Sequence, residues 1–198
     1  SLIRRAFPGR YVLARATKLP LVGRVLDEML FAGDALVYVP PDETVRRIEI
    51  HQPVDDAGSM VLPSQLVEHF IEQAEYCWIM NACICRQAGD CKDYPVDLGC
   101  LFLGRAAAGI SPRLGRAVTR DEALAHVRRC QDAGLVHLIG RNKLDTVWLG
   151  VGPGNQLLTI CNCCPCCCLW RLLPNVSTQI AGKVTGMVGV TVTVGDRC

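Results

Sequence analysis

Cys161-Asn162-Cys163-Cys164-Pro165-Cys166-Cys167-Cys168 places six thiols in eight residues. Thiolates crowded this closely repel one another unless a cation shares them. An all-sulfur donor set selects zinc or an iron–sulfur cluster. A second block lies upstream: Cys77, Cys83-Ile84-Cys85-Arg86, Cys91 and Cys100. The two blocks hold 11 of the 13 cysteines in a chain of 198 residues. Half of the residues are apolar and 20% are charged, enough to build a core without disulfide staples. Thirteen is odd, so pairing alone would leave a thiol over. The distribution reads as metal ligands and excludes an ordinary soluble enzyme with incidental thiols.

Spacing within the dense block leaves its partition open. In an extended segment Cys161, Cys163 and Cys167 face one way and Cys164, Cys166 and Cys168 the other. In a helix Cys161, Cys164 and Cys168 share a face. Pro165 interrupts either regular run, but both geometries feed two sites. Eight thiolates hold two four-iron clusters. The blocks exceed that number, leaving thiols for supporting positions or for a less usual cluster. Zinc usually takes separated C-x2-C units, and here only the overlapping fragments Cys163/Cys166 and Cys164/Cys167 have that spacing. Two 4Fe–4S clusters are therefore the expected cofactors, with zinc the alternative. The expected ligands are Cys83, Cys85, Cys91, Cys100, Cys161, Cys163, Cys164, Cys166, Cys167 and Cys168. Cys77, about a helical turn before the motif, is a further candidate, while Cys130 reads as core.

Around these blocks the pattern predicts an α+β protein. Residues 20–32 read as a helix ended by Gly33, and Ala35–Val39 as a short strand before Pro40-Pro41. Val45–Ile50 alternates like an exposed strand, and Gln52–Ser59 reads as a loop. Pro63-Ser64 opens a helix whose apolar positions run through Leu66, Val67, Phe70, Ile71, Ala74, Cys77 and Trp78. Gly99–Ile110 reads as another helix. Thr119-Arg120-Asp121-Glu122 is a capping box, starting a helix that ends at Gly134. Leu135–Ile139 and Val147–Val151 then read as strands joined by Gly140-Arg141-Asn142-Lys143, so residues 119–151 resemble a small winged-helix unit. The expected division is a basic N-terminal extension with short strands at 1–62, an iron–sulfur domain at 63–173 and a C-terminal strand segment at 174–198.

Two groups of residues also resemble a family of ferredoxin-like 4Fe–4S binding proteins. The first is Cys83-Ile84-Cys85-Arg86, Cys91, then Asp97-Leu98-Gly99-Cys100-Leu101-Phe102-Leu103-Gly104. The second is Asp121-Glu122-Ala123, Gly134-Leu135-Val136-His137, then Ile160 and the dense cysteine block. The likeness covers about residues 60–171. It implies electron transfer or redox support in low-potential metabolism, and a cofactor more firmly than a reaction. Many relatives continue into a ferredoxin segment, C-x2-C-x2-C-x3-C-P. Here Val190–Val194 alternates like a strand, and Gly195-Asp196-Arg197-Cys198 stands where such a segment would begin.

Charge is unevenly placed. Residues 1–24 carry six basic side chains (Arg4, Arg5, Arg10, Arg15, Lys18, Arg24) and no acid, while the rest sets 15 basic against 19 acidic residues. The apolar stripe Leu19, Leu21, Val22, Val25, Leu26, Met29, Leu30 and Phe31 accompanies this charge. Residues 1–31 are thus expected to dock on a partner subunit or an anionic membrane face. No secretory signal is read, which predicts a reducing, cytoplasmic setting. The uncharged run after Asp145 is broken by Gly152-Pro153-Gly154 and the cysteines, so it predicts a strand, a turn and a loop rather than a span. Arg86, directly after Cys85, is expected to offset cluster charge and raise its potential; Lys92 and Arg171 are weaker candidates. His137 reads as a core residue or proton carrier, and His51, His69 and His126 show no paired spacing.

The expected function is one-electron relay within a larger redox complex. Two alternatives stand beside it. One is a redox enzyme subunit with a substrate-binding cluster. The other is a redox-sensing winged-helix regulator using Arg113, Arg116, Arg120, Arg128, Arg129, Arg141 and Lys143, although basic helix residues more often form a solvated face and nucleic acid is not the expected partner.

Overall fold

A computed structural model of the chain describes residues 7–39 and 63–187. The expected strands Val45–Ile50 and Val190–Val194, the loop Gln52–Ser59, and Cys198 lie outside the described residues. Helices α1 (Arg10–Ala16) and α2 (Pro20–Leu30) lead into strand β1 (Ala35–Val39). Helix α3 (Pro63–Gln73), strand β2 (Cys77–Met80), the short helix α4 (Ile84–Ala88) and strands β3 (Leu101–Leu103) and β4 (Gly115–Val118) follow. Helix α5 (Arg120–Asp132), strand β5 (Val136–Arg141), helix α6 (Lys143–Leu149), strand β6 (Leu158–Cys163), helix α7 (Thr178–Ala181) and strand β7 (Val184–Gly186) complete the order. Among the described residues the strands make one seven-stranded sheet in the order β4-β2-β3-β6-β5-β1-β7. The β1–β7 pairing is parallel and the others are antiparallel. The architecture is the expected α+β class.

Strand alternation splits the interior into two layers. Leu101, Leu103, Cys77 and Ile160 face α3 and α5, packing on Val67, Ile71, Ala123 and Val127. Trp78, Met80 and Phe102 face the opposite side, against Ala107, Ile110, Leu149 and Leu157. The same alternation sends Cys161 and Cys163 to that second side, with Leu138 and Cys168. Helix α5 begins as its sequence predicts: the Glu122 amide donates to Thr119 Oγ1 at 3.2 Å and the Thr119 amide to Glu122 Oε2 at 2.9 Å. It ends before Gly134, whose φ of +71° suits a residue without Cβ.

Three expected elements differ. Helix α3 stops at Gln73, and Cys77-Trp78 belong to β2, because pairing with β3 and β4 outweighs the helical spacing. Leu101–Leu103 is a strand followed by a 3-10 turn at Arg105–Gly109, not part of a helix. It lies between β2 and β6 and is buried on both faces, so it lacks the alternation that would mark it. Lys143–Leu149 is a helix where the second strand of a hairpin was expected. Asn142 is its cap, accepting from the Leu144 amide at 2.9 Å, and Gly150 closes it in the left-handed region.

Candidate metal centre

The two cysteine blocks meet at one end of the sheet. Cys83 is the N-cap of α4 and Cys85 lies in its first turn, Cys91 comes from the loop after it, and Cys100 from the entry to β3. Cys161 and Cys163 are on β6, and Cys164 to Cys168 form the turn that leaves it. The ten expected ligands fall into two groups, and the dense block feeds both.

The smaller group is Cys91, Cys164, Cys166 and Cys167, whose four Sγ atoms lie within 4.8 Å of one another. Cys91 and Cys166 approach to 3.4 Å. Cys164 is buried and the other three are half-buried. Backbone amides aim at these sulfurs: Cys167 N–H donates to Cys164 Sγ at 3.4 Å, and those of Asp93 and Tyr94 to Cys91. Burial pushes the Cys91 thiol up, but hydrogen bonds from Cys167, Cys166 and these amides bring it below the usual range.

The larger group is a chain of contacts through Cys83, Cys85, Cys168, Cys163, Cys161 and Cys100. Cys168 and Cys163 lie 3.0 Å apart and Cys100 and Cys161 3.8 Å apart. All six line a cavity of about 210 Å³, together with Trp148, Trp170 and Asp145. Without a cation only one of these thiols ionises readily. Cys168 is held down to about 5 by hydrogen bonds from Cys163 and Cys85. Contact with Cys85 and burial push Cys83 up, and contact with Cys168 together with burial push Cys85 up. Contact with Cys161 and burial raise Cys100, while contact with Cys168 and burial raise Cys163 despite the bond from Cys161. Burial and mutual contact thus keep most of these crowded thiols protonated in the absence of a cation.

Arg86 lies between the groups. It is fully buried and donates from Nη1 to the Asn162 carbonyl at 3.0 Å and from Nη2 to the Leu98 carbonyl. Its charge acts on Cys83 in the larger group, and it hydrogen-bonds Cys164 in the smaller one. Nε has no hydrogen-bond partner among the described residues. Gly89 marks the closest approach from the α4 side: a Cβ there would meet the Cys85 carbonyl at 3.0 Å and Cys167 Sγ at 3.4 Å.

Behind β6 lies a polar network that spacing did not reveal. Asn162 Nδ2 donates to the Gly99 carbonyl at 2.7 Å, and its Oδ1 lies 2.8 Å from His137 Nδ1. His126 Nε2 lies 2.9 Å from the same carbonyl and 3.7 Å from Cys130 Sγ. Alternation along β6 is its one sequence signal, since Asn162 must oppose Cys161 and Cys163. Cys130 is buried beside the smaller group, with Leu98, Leu135 and Cys164. Cys77 joins neither group; it sits in the core against α3 and α5. Lys92 is exposed and pairs with Asp90, whereas Arg171 donates to the Cys166 carbonyl at 2.7 Å. Several arginines of the winged-helix expectation have acidic partners: Arg116 with Glu122, Arg128 with Glu68 and Arg129 with Asp97.

The site defines a protein with a cysteine cluster compatible with metal binding. No known family, no curated protein and no solved structure matches the chain. Among the described residues no helix is long and apolar enough to cross a membrane.

Proposed function

We propose that the chain is an iron–sulfur protein that relays single electrons to and from partner subunits of a redox complex. The observation carrying this reading is the convergence of ten cysteines, from two segments far apart in sequence, into two adjoining groups. The donor sets fit. The larger group lines a cavity walled by sulfur and apolar side chains together with Arg10, Arg86, Asp145, Asn142 and Asn162, and it offers more thiolates than the four a cubane takes. A four-iron cluster supplies a one-electron couple when bound there. The protein's own groups provide the rest: β6 and α4 fix the thiols, Trp148 and Trp170 exclude water, and amide-to-sulfur bonds with the Arg86 guanidinium favour added negative charge.

One observation favours a second reading for the smaller group alone. A tetrahedral zinc with bonds of about 2.3 Å needs sulfurs about 3.8 Å apart, close to the spacing among Cys91, Cys164, Cys166 and Cys167. A four-iron cluster would need these sulfurs farther apart than they lie. In that reading the small group is a structural zinc site and the larger group alone is redox-active.

The test is low-temperature EPR of the anaerobically purified, reduced protein with two variants. Reduced-cluster signals that vanish in Cys83→Ala but persist in Cys91→Ala support one redox-active group with zinc beside it. Signals diminished by each variant support two clusters. A protein silent in all states contradicts the electron-transfer reading.

A further inference from the structure

Helices α1 and α2 show a surface unlike the rest of the molecule. Nine large apolar side chains are exposed among the described residues, and eight of them lie between Tyr11 and Met29. Leu21 is 78% exposed, Val12 75%, Met29 60% and Val25 54%. Single exposed apolar residues are ordinary, but this concentration on one short segment marks an interaction surface. On α2, Leu21, Val22, Val25 and Met29 share one side by helical spacing, while Gly23 and Asp27 are buried on the other. The buried side is anchored: Asp27 pairs with Lys183 and accepts from Gln179 Nε2 at 3.0 Å. Among the described residues nothing covers the exposed side.

Charge selects the occupant. Arg15, Lys18 and Arg24 are exposed among these apolar residues against one exposed acid, Glu28, so the face carries net positive charge. Interleaved apolar and basic side chains suit a bilayer boundary, where the apolar groups enter the acyl region and the cations reach anionic headgroups. We propose that the α1–α2 face seats the protein on an anionic membrane surface. This does not depend on the identity of the bound metal. It has a consequence for the centre: Leu13, exposed on α1, also lines the cavity of the larger thiol group, so seating brings that cavity close to the lipid.

The test is co-sedimentation of the metal-loaded protein with phosphatidylcholine vesicles, with and without phosphatidylglycerol. Binding should require the anionic lipid and weaken as salt is raised. Each basic side chain contributes about fivefold near such a surface, so Arg15→Gln/Lys18→Gln/Arg24→Gln should weaken binding about a hundredfold. Val25→Asn/Met29→Asn should weaken it about tenfold. Both variants change exposed positions and should keep the wild-type circular dichroism and metal content. Equal binding to both vesicles, no binding to either, or an unaffected apolar variant would overturn the proposal. So would capture by a protein partner through this face without any lipid partition.

Discussion

Replacing Arg86 separates the roles of charge and packing at the centre. Its guanidinium is fully buried and serves the Leu98 and Asn162 carbonyls while facing both thiol groups. Arg86→Gln removes the charge and strands at least one carbonyl, each such loss costing about 1–3 kcal/mol. The electrostatic part is independent of that cost. In an effective dielectric of about 20, a unit charge about 8 Å from a redox centre contributes about 2 kcal/mol. For a one-electron couple that is about 90 mV. A positive charge favours the reduced form, so its loss must lower the potential. Arg86→Lys keeps the charge but loses the forked geometry, so it should destabilise the fold while leaving the potential within about 30 mV of wild type. The assay is an EPR-monitored redox titration of wild type and both variants, paired with denaturant unfolding. Equal potentials in wild type and Arg86→Gln would refute the reasoning, because a buried charge facing both thiol groups cannot be silent toward a redox centre held there.

Four further outcomes follow from the same geometry. Gly89→Val should lower metal occupancy of the Cys91, Cys164, Cys166 and Cys167 group, since even a Cβ there meets Cys85 and Cys167 tightly; metal analysis reads it. Cys130→Ala and Cys77→Ala should keep full metal content and cost about 1–2 kcal/mol in unfolding, as core truncations do; lost metal would make either a ligand. Burial lowers the His126 pKa below its ordinary 6.5. The unfolded state then binds more protons as pH falls below about 6.5, so stability falls until the folded-state pKa is passed, and His126→Gln should flatten that part of the unfolding profile. Gly104→Ala should destabilise by about 2 kcal/mol or more in the same assay, because its φ is +96° and a Cβ would collide with the Gln156 carbonyl.

The parts legible in the sequence were those with local causes. The capping box at Thr119, the strand Ala35–Val39 and the helix ended by Gly33 each follow from a few neighbouring residues, and each is found. The dense block's division into two groups was also legible, but its membership was not. Cys161 and Cys163 share a face as alternation requires, yet Cys168 joins them instead of Cys167 because the turn around Pro165 reverses the chain. No periodicity rule describes such a turn. The Lys143–Leu149 helix was misread because Asn142 and Gly150 serve as turn residues or as helix caps, and the local sequence does not choose. The Asn162–His137–His126 network joins three distant segments, so no spacing within one of them could reveal it.

The most direct measurement is iron, zinc and acid-labile sulfide per chain in anaerobically purified protein. Two clusters predict about eight irons and eight sulfides, and a cluster beside a zinc site predicts about four of each with one zinc. Zinc without sulfide would contradict the iron–sulfur account and leave the convergent cysteines a purely structural role.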